Sequence, residues 1–273
     1  MFKKLSKFAV VFGFLVFSVA QAAPDSSTLE FWKPHVKTNT SSIDHSKWQL
    51  ILDRYLTPGD NGNINRFSYS RVSNTDKALL SGYLDDMQAL DPRGYNRAVQ
   101  KSYWVNLYNA LTVDLVLDNY PTPSITKLGD KFFSFGPWDD KVATVNGQAL
   151  TLNDIEHGIL RPIWKDNRIH YAVNCASFSC PNLSKNAYNE TNMDSLLSEA
   201  ARNYVNHPRA VALTGSTLTV SSIYKWYKDD FGGTNQSLLA HLVGYADEGL
   251  KEKLKNYQGK IEYDYDWALN EPS

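Results

Sequence analysis

The sequence predicts an α+β fold: a helix-rich single domain with a small antiparallel or mixed β-sheet around a central long helix. Three observations point there. Apolar residues recur at helical spacing through most of the N-terminal half, the clearest hairpin and strand signals cluster after residue 140, and one segment is apolar almost all round. The chain has 273 residues, 28 Lys and Arg against 29 Asp and Glu, and 42% apolar residues. It is too apolar and too weakly charged to be disordered. No basic surface for nucleic acid or anionic membrane is expected.

Residues 1–22 read as a signal peptide. Lys3, Lys4 and Lys7 precede the apolar run Phe8–Val19, and Ala20 and Ala22 give a small-residue cleavage pattern. The mature chain then starts at Ala23, carries 25 basic against 29 acidic residues, and is periplasmic or secreted. No stable membrane insertion is expected after cleavage, because no later run approaches the ~20 apolar residues of a spanning helix. Residues 23–44, polar and rich in Ser and Thr, read as a flexible leader. One globular domain is expected over 45–270.

A first helix is capped by Ser46 and carries Trp48, Ile51, Leu52, Tyr55 and Leu56 on one face. The turn signal Pro58-Gly59-Asp60-Asn61-Gly62 ends it. A second helix runs from Thr75 to Leu90, and Pro92 and Gly94 break the chain. The long helix, about Asn96 to Tyr120, stops before Pro121 and Pro123. Residues 142–145 and 148–151 flank Asn146-Gly147, a hairpin signal. A short helix follows with Thr151 and Asp154 at capping-box spacing, ending at Arg161-Pro162. Residues 168–174 read as a strand. Helices near 193–206, 221–231 and 235–255 surround a hairpin across Thr214-Gly215-Ser216. Alternation of Ile261, Tyr263, Tyr265 and Trp267 with acidic residues closes the chain on a half-buried strand.

Three segments place polar groups among apolar ones. Asn106 and Asn109 share an arc of the long helix with valines and Leu117. They either tie the helix to neighbouring loops or line a site. Glu156 lies between Leu152 and Leu160 and needs a partner, so it is either a buried salt bridge, for instance to Arg168, or an acid/base group. His157 and Arg161 share the opposite arc of that helix. Cys175 sits in a small-residue turn after His170. It reads as a nucleophile with His157 or His170 as base and Glu156 orienting the imidazole, while Asn106 and Asn109 donate to an oxyanion. Cys175 and Cys180, close in sequence in an exported chain, also read as a disulfide. Zinc held by His157, His170 and the cysteines is a third reading, but the spacing matches no standard framework. No metal and no cofactor are therefore expected.

The blocks Trp104-Val105-Asn106-Leu107-Tyr108-Asn109-Ala110, Ile155-Glu156-His157-Gly158-Ile159-Leu160-Arg161, Arg168-Ile169-His170 and Asn174-Cys175-Ala176-Ser177 carry a resemblance. Tyr120-Pro121 with Ser124-Ile125 lies between the first two, and Cys180-Pro181, Trp226-Tyr227 with Asp230-Phe231, and Tyr265-Asp266-Trp267 with Leu269-Asn270 extend the series. In this order the chain resembles the large family catalogued as domain of unknown function number 547, from about Trp48 to Asn270. The resemblance implies an exported single-domain protein in bacteria, and in eukaryotes fusions to other modules, glutaredoxin-like ones among them. The family pattern holds Glu156-His157, His170 and both cysteines, and Ser179 stands where a glycine is common, which stiffens the turn. Two function classes follow. One is a thiol-dependent hydrolase or transferase acting on amides or peptides, with a small-molecule or peptide ligand. The other is a non-enzymatic binding or scaffold protein stapled by a Cys175–Cys180 disulfide.

Overall fold

The computed structural model describes residues 24–59, 64–129 and 136–272. The expected signal peptide and Asp60, Asn61 and Gly62 of the expected turn lie outside them. The architecture is α+β and helix-rich. Helices α1 (Ser46–Tyr55), α2 (Asn74–Ala89) and α3 (Arg97–Asp118) come first, with the short antiparallel pair β1 (Leu56–Thr57) and β2 (Arg66–Phe67) between α1 and α2. The hairpin β3 (Ala143–Val145) and β4 (Gln148–Leu150) follows. Its turn residues Asn146 and Gly147 both adopt positive φ, 44° and 74°, as a two-residue hairpin of this twist requires.

The next helix is wound as a π-helix over Asp154–Leu160 and passes into α4 (Arg161–Trp164). The capping box is present: the Asp154 N–H donates to Thr151 Oγ1 and the Thr151 N–H to Asp154 Oδ2, both at 2.9 Å. The helix does not end at Arg161-Pro162. Pro162 lacks the N–H an α-helix interior uses, and it enters where the winding changes, so the chain continues for another turn. Helices α5 (Met193–Val205), α6 (Ile223–Trp226), α7 (Asn235–Tyr245) and α8 (Glu248–Lys255) surround a mixed sheet. In it β5 (Val211–Thr214) pairs antiparallel with β6 (Thr217–Ser221), and β6 pairs parallel with β7 (Lys260–Asp264). The two long helices expected at 221–231 and 235–255 are each broken, the first into α6 and a 3-10 turn at Lys228–Phe231, the second at Ala246.

Two local expectations are corrected. Ser46 begins α1 but does not cap it; Asp44 Oδ1 accepts the Ser46 N–H instead. Residues 168–174 form no strand: the chain makes a 3-10 turn at Asn167–Tyr171, started by Asp166, whose carboxylate accepts the Arg168 N–H. Parts of the segment expected as a leader touch the core. Trp32 is buried edge-on against Trp104, Ile43 is buried, and the Leu29 N–H donates to Gly158 O at 2.8 Å. A Cβ on Gly158 would come within 2.7 Å of Leu29, so glycine permits this approach.

Two apolar clusters result. One gathers α1–α3, the β3–β4 hairpin and the π-helix around α3, which is buried on nearly every side from Val99 to Val113. The other gathers α5–α8 with the mixed sheet. The 3-10 turn at Asn167–Tyr171 joins them: Ile169 belongs to the first, Tyr171 to the second, and His170 lies between.

Burial of one histidine outweighs the nearby Asp44 and Glu190 carboxylates and should make the fold acid-sensitive. His45 has one nitrogen 2.7 Å from the Tyr83 hydroxyl and the other without a partner, and burial pushes its pKa down to about 4. The unfolded chain binds this proton at about pH 6.5, so stability is complete above 6.5 and falls as pH drops toward 4. His45→Gln removes a slope worth roughly 3 kcal/mol across that window. Urea melts of both proteins at pH 7 and pH 4.5 check it; parallel losses in the two proteins would count against it.

Candidate functional site

The site stands where the two clusters meet, and five segments contribute to it. The π-helix supplies Glu156 and His157 and leads to Arg161, the 3-10 turn supplies His170, and the segment after α6 supplies Tyr227 and Asp230. The loop 174–181 supplies both cysteines, and the stretch after β7 supplies Tyr265.

Charged groups form a continuous chain. His170 Nε2 lies 2.7 Å from Asp230 Oδ2, and Arg161 Nε donates to the same oxygen at 2.6 Å. His170 Nδ1 faces Glu156 Oε1 at 3.4 Å, an ionic approach rather than a formed hydrogen bond. Arg161 Nη1 donates to His157 Nδ1 at 3.0 Å and to the Pro24 carbonyl at 3.0 Å. Glu156 is 4% exposed. Burial pushes its carboxyl up, but His157, His170 and Arg161 together outweigh burial and bring it down to about 2. Asp230 is held well below the usual range because His170 and Arg161 overcome its burial. Burial lowers His157, and the Arg161 charge adds to it against Glu156. Tyr227 stacks on His170 with centroids 3.9 Å apart, and the Tyr108 hydroxyl donates to Glu156 Oε2 at 3.3 Å.

The sulfurs form a second group. Cys175 Sγ lies 2.9 Å from Cys180 Sγ, 3.2 Å from Ser177 Oγ and 3.1 Å from the Tyr265 hydroxyl. Burial pushes the Cys175 thiol up, yet the hydrogen bonds of Cys180, Ser177 and Tyr265 bring it to about 7. Burial and the neighbouring Cys175 push Cys180 up. The Tyr108 and Tyr227 phenols feel both Glu156 and Cys175, which links the two halves of the site electrostatically. Beside the sulfur, half-buried Trp226, Tyr265 and Trp267 form a ledge with centroids 4.6–5.5 Å apart. A cleft of about 930 Å³ lined by Arg66, Arg71, Phe178 and His207 shares only Phe178 with the loop, and neither sulfur lines it.

The loop is held on both sides. Asn109 Nδ2 donates to Ala172 O at 2.9 Å, and its Oδ1 accepts the Asn174 N–H at 2.8 Å. Asn174 in turn accepts the Ala176 N–H and donates to Pro181 O. From the other side Phe178 and Ser179 N–H groups donate to the carbonyls of Ala268 and Asp266, and the Asn270 N–H to that of Ala176. Ser179 Oγ accepts the Asp266 N–H at 2.8 Å, so the hydroxyl that replaces the expected glycine adds a tie. Ala176, next to Cys175, has φ 56°, a left-handed conformation rarely found outside glycine, which only a well-tied loop sustains.

Of the expected residues, Glu156, His157, Arg161 and His170 come together, and Cys175 is related to them through Tyr108 and Tyr227. Asn106 and Asn109 belong to the structural alternative. Asn106 exchanges hydrogen bonds with both backbone groups of Tyr188, at 2.7 and 3.0 Å, and Asn109 holds the backbone at Ala172 and Asn174. Arg168 does not meet Glu156; it forks onto Asp166 and reaches Asp194 and Ser198. No histidine hydrogen-bonds Cys175, whose partners are Cys180, Ser177 and Tyr265, so the expected cysteine–histidine pair is not formed. The cysteines are free: 2.9 Å separates sulfurs that a disulfide would hold at about 2.05 Å. Among the described residues no group of three or more His, Cys, Asp or Glu is arranged to hold a metal ion, and no helix is long and apolar enough to cross a membrane. Tyr108, Tyr227, Asp230, Ser177 and Tyr265 were not singled out as site residues. Trp226-Tyr227, Asp230-Phe231 and Tyr265 do stand in the blocks that carry the resemblance, and that was their signal.

The family model described as a protein of unknown function, DUF547, matches residues 92–205. The chain is thus similar to that family over a shorter span than the sequence blocks suggested. The span holds Glu156, His157, His170 and both cysteines, and it leaves out Tyr227, Asp230 and Tyr265. Comparison with curated proteins and with solved structures gives no match.

The Glu156 carboxylate stabilises the fold above about pH 4.5, and its contribution is lost as pH falls toward 2. Glu156→Gln keeps the shape but not the charge that balances Arg161 and His170. It should cost about 2–4 kcal/mol at pH 7 and much less at pH 3. Denaturant melts at the two pH values measure this; an equal cost at both would show that the charge of Glu156 is not what stabilises the fold.

Proposed function

We propose that the protein is an exported thiol-dependent enzyme in which Cys175 is the nucleophile of a group-transfer reaction. One observation carries the reading: three side-chain partners lie within 3.2 Å of the Cys175 sulfur and favour its thiolate, bringing its pKa down to about 7 against burial. The basic and apolar leader supports export.

The residues divide the work. Burial and the adjacent sulfurs keep the Tyr265 phenol protonated, so it can donate to the thiolate and to a group departing beside it. The Glu156–His170–Asp230 chain acts through another ring: His170 fixes Tyr227 by stacking, and Tyr227 stands in the field of both Glu156 and Cys175. Trp226 and Trp267 offer flat surfaces for a small-molecule or peptide ligand. Transfer is favoured over amide hydrolysis, because no histidine meets the sulfur and the asparagine amides already hold backbone groups.

Alkylation of Cys175 by iodoacetamide across pH tests this. The rate should follow a midpoint near 7, against about 8.5 for an ordinary thiol. Tyr265→Phe should move the midpoint up without removing the reaction. A wild-type midpoint at 8.5 or above, or an unreactive sulfur, would leave no enzyme nucleophile and favour a binding or scaffold protein.

A further inference from the structure

We infer that the substrate of this site is a disulfide, with Cys175 as the attacking thiol and Cys180 as the resolving thiol of a dithiol–disulfide exchange; this rests on Cys175 being the nucleophile proposed above. The geometry separates the two roles. Cys175 is partly exposed, whereas Cys180 is 5% exposed and lies 2.9 Å from it. An incoming disulfide meets only the outer sulfur. Once that sulfur carries a substituent, the inner one is already within closing distance, because the loop between them is tied at both ends.

Cys180 is also equipped to ionise at the right moment. The Cys175 N–H donates to Cys180 Sγ at 3.0 Å, a contact that stabilises a thiolate there. Arg209 lies in the electrostatic range of Cys180, with its Nε buried and without a partner. What opposes ionisation, besides burial, is the neighbouring Cys175. That opposition ends when Cys175 loses its charge in a mixed disulfide. An acyl electrophile gives Cys180 no step to perform, and a disulfide gives it one.

The steps balance. The Cys175 thiolate attacks one sulfur of R–S–S–R′, forming Cys175–S–S–R and expelling R′–S⁻. The Cys180 thiol gives its proton to R′–S⁻, leaving R′–SH, and the Cys180 thiolate attacks the Cys175 sulfur. That bond forms as the bond to R breaks, and R–S⁻ departs. The protein dithiol is oxidised by two electrons and the substrate disulfide is reduced by two.

Reduced protein mixed with excess 2-hydroxyethyl disulfide and followed by intact mass tests the inference. The wild type should close to the internal disulfide and retain no adduct. Cys180→Ser should stop at a mixed disulfide on Cys175 lasting at least about tenfold longer, and Cys175→Ser should not react. Cys180→Ala checks that the trapped adduct reflects the missing thiol rather than a distorted loop. A disulfide-bonded unfolded polypeptide as second probe separates the sources: faster closure with it assigns the substrate to proteins, through the tryptophan ledge, and equal rates assign it to small disulfides. A wild-type adduct as durable as that of Cys180→Ser overturns the inference. So does a protein whose Cys175 is rapidly alkylated yet ignores both disulfides, and there the nucleophile itself stands. A sulfur that is neither alkylated nor exchanged overturns both.

Discussion

The amide of Asn109 holds the site in place. It grips the chain at Ala172 and Asn174, and Asn174 passes the grip to Ala176 and Pro181, so a largely buried helix dictates the path of the cysteine loop. Each such bond contributes about 1 kcal/mol net, but a buried group left unpaired costs about 1–3 kcal/mol. Asn106 does the same for Tyr188 beyond the loop. The two asparagines bracket the segment that carries both sulfurs, and α3 serves them as a rigid post because apolar neighbours cover it from Val99 to Val113.

The second constraint is the seam between the two apolar clusters. Ile169, His170 and Tyr171 point three ways from one 3-10 turn, and only the middle side chain meets charge on both sides. Buried ions are costly alone. Here Asp230 meets both Arg161 and His170 across the seam, which joins residues sixty or more positions apart. The π winding over Asp154–Leu160 places Glu156 and His157 in this chain, at a widened turn of the kind often found at functional sites.

What was legible in the sequence follows from range. The long helix, the Asn146-Gly147 turn and the Thr151–Asp154 capping box are local devices, and all three are present in the structure. The 3-10 turn at 167–171 imitated a strand, because Ile169 and Tyr171 are apolar for different reasons, each serving its own cluster. A straight α-helical wheel could not place Glu156 and His157 correctly on a π-helix. That Asn106 and Asn109 are polar groups inside an apolar helix was readable; that backbone carbonyls and amides already satisfy them was not, since both partners lie more than sixty residues away. Asp230 and Tyr265 stood in polar surroundings and gave no local sign of their partners.

The account rests on the helix clamp setting the chemistry of the loop, and Asn109→Asp tests that most directly. The substitution keeps the shape and the acceptor for the Asn174 N–H, and it replaces the donor to Ala172 with an oxygen. Thiolate absorbance followed across pH, with helical content followed alongside, reads the effect on Cys175. The account predicts that helical content persists while the Cys175 midpoint rises from about 7 toward the ordinary 8.5. A midpoint still near 7 in the variant would show that the loop holds its sulfurs without the helix, and would contradict it.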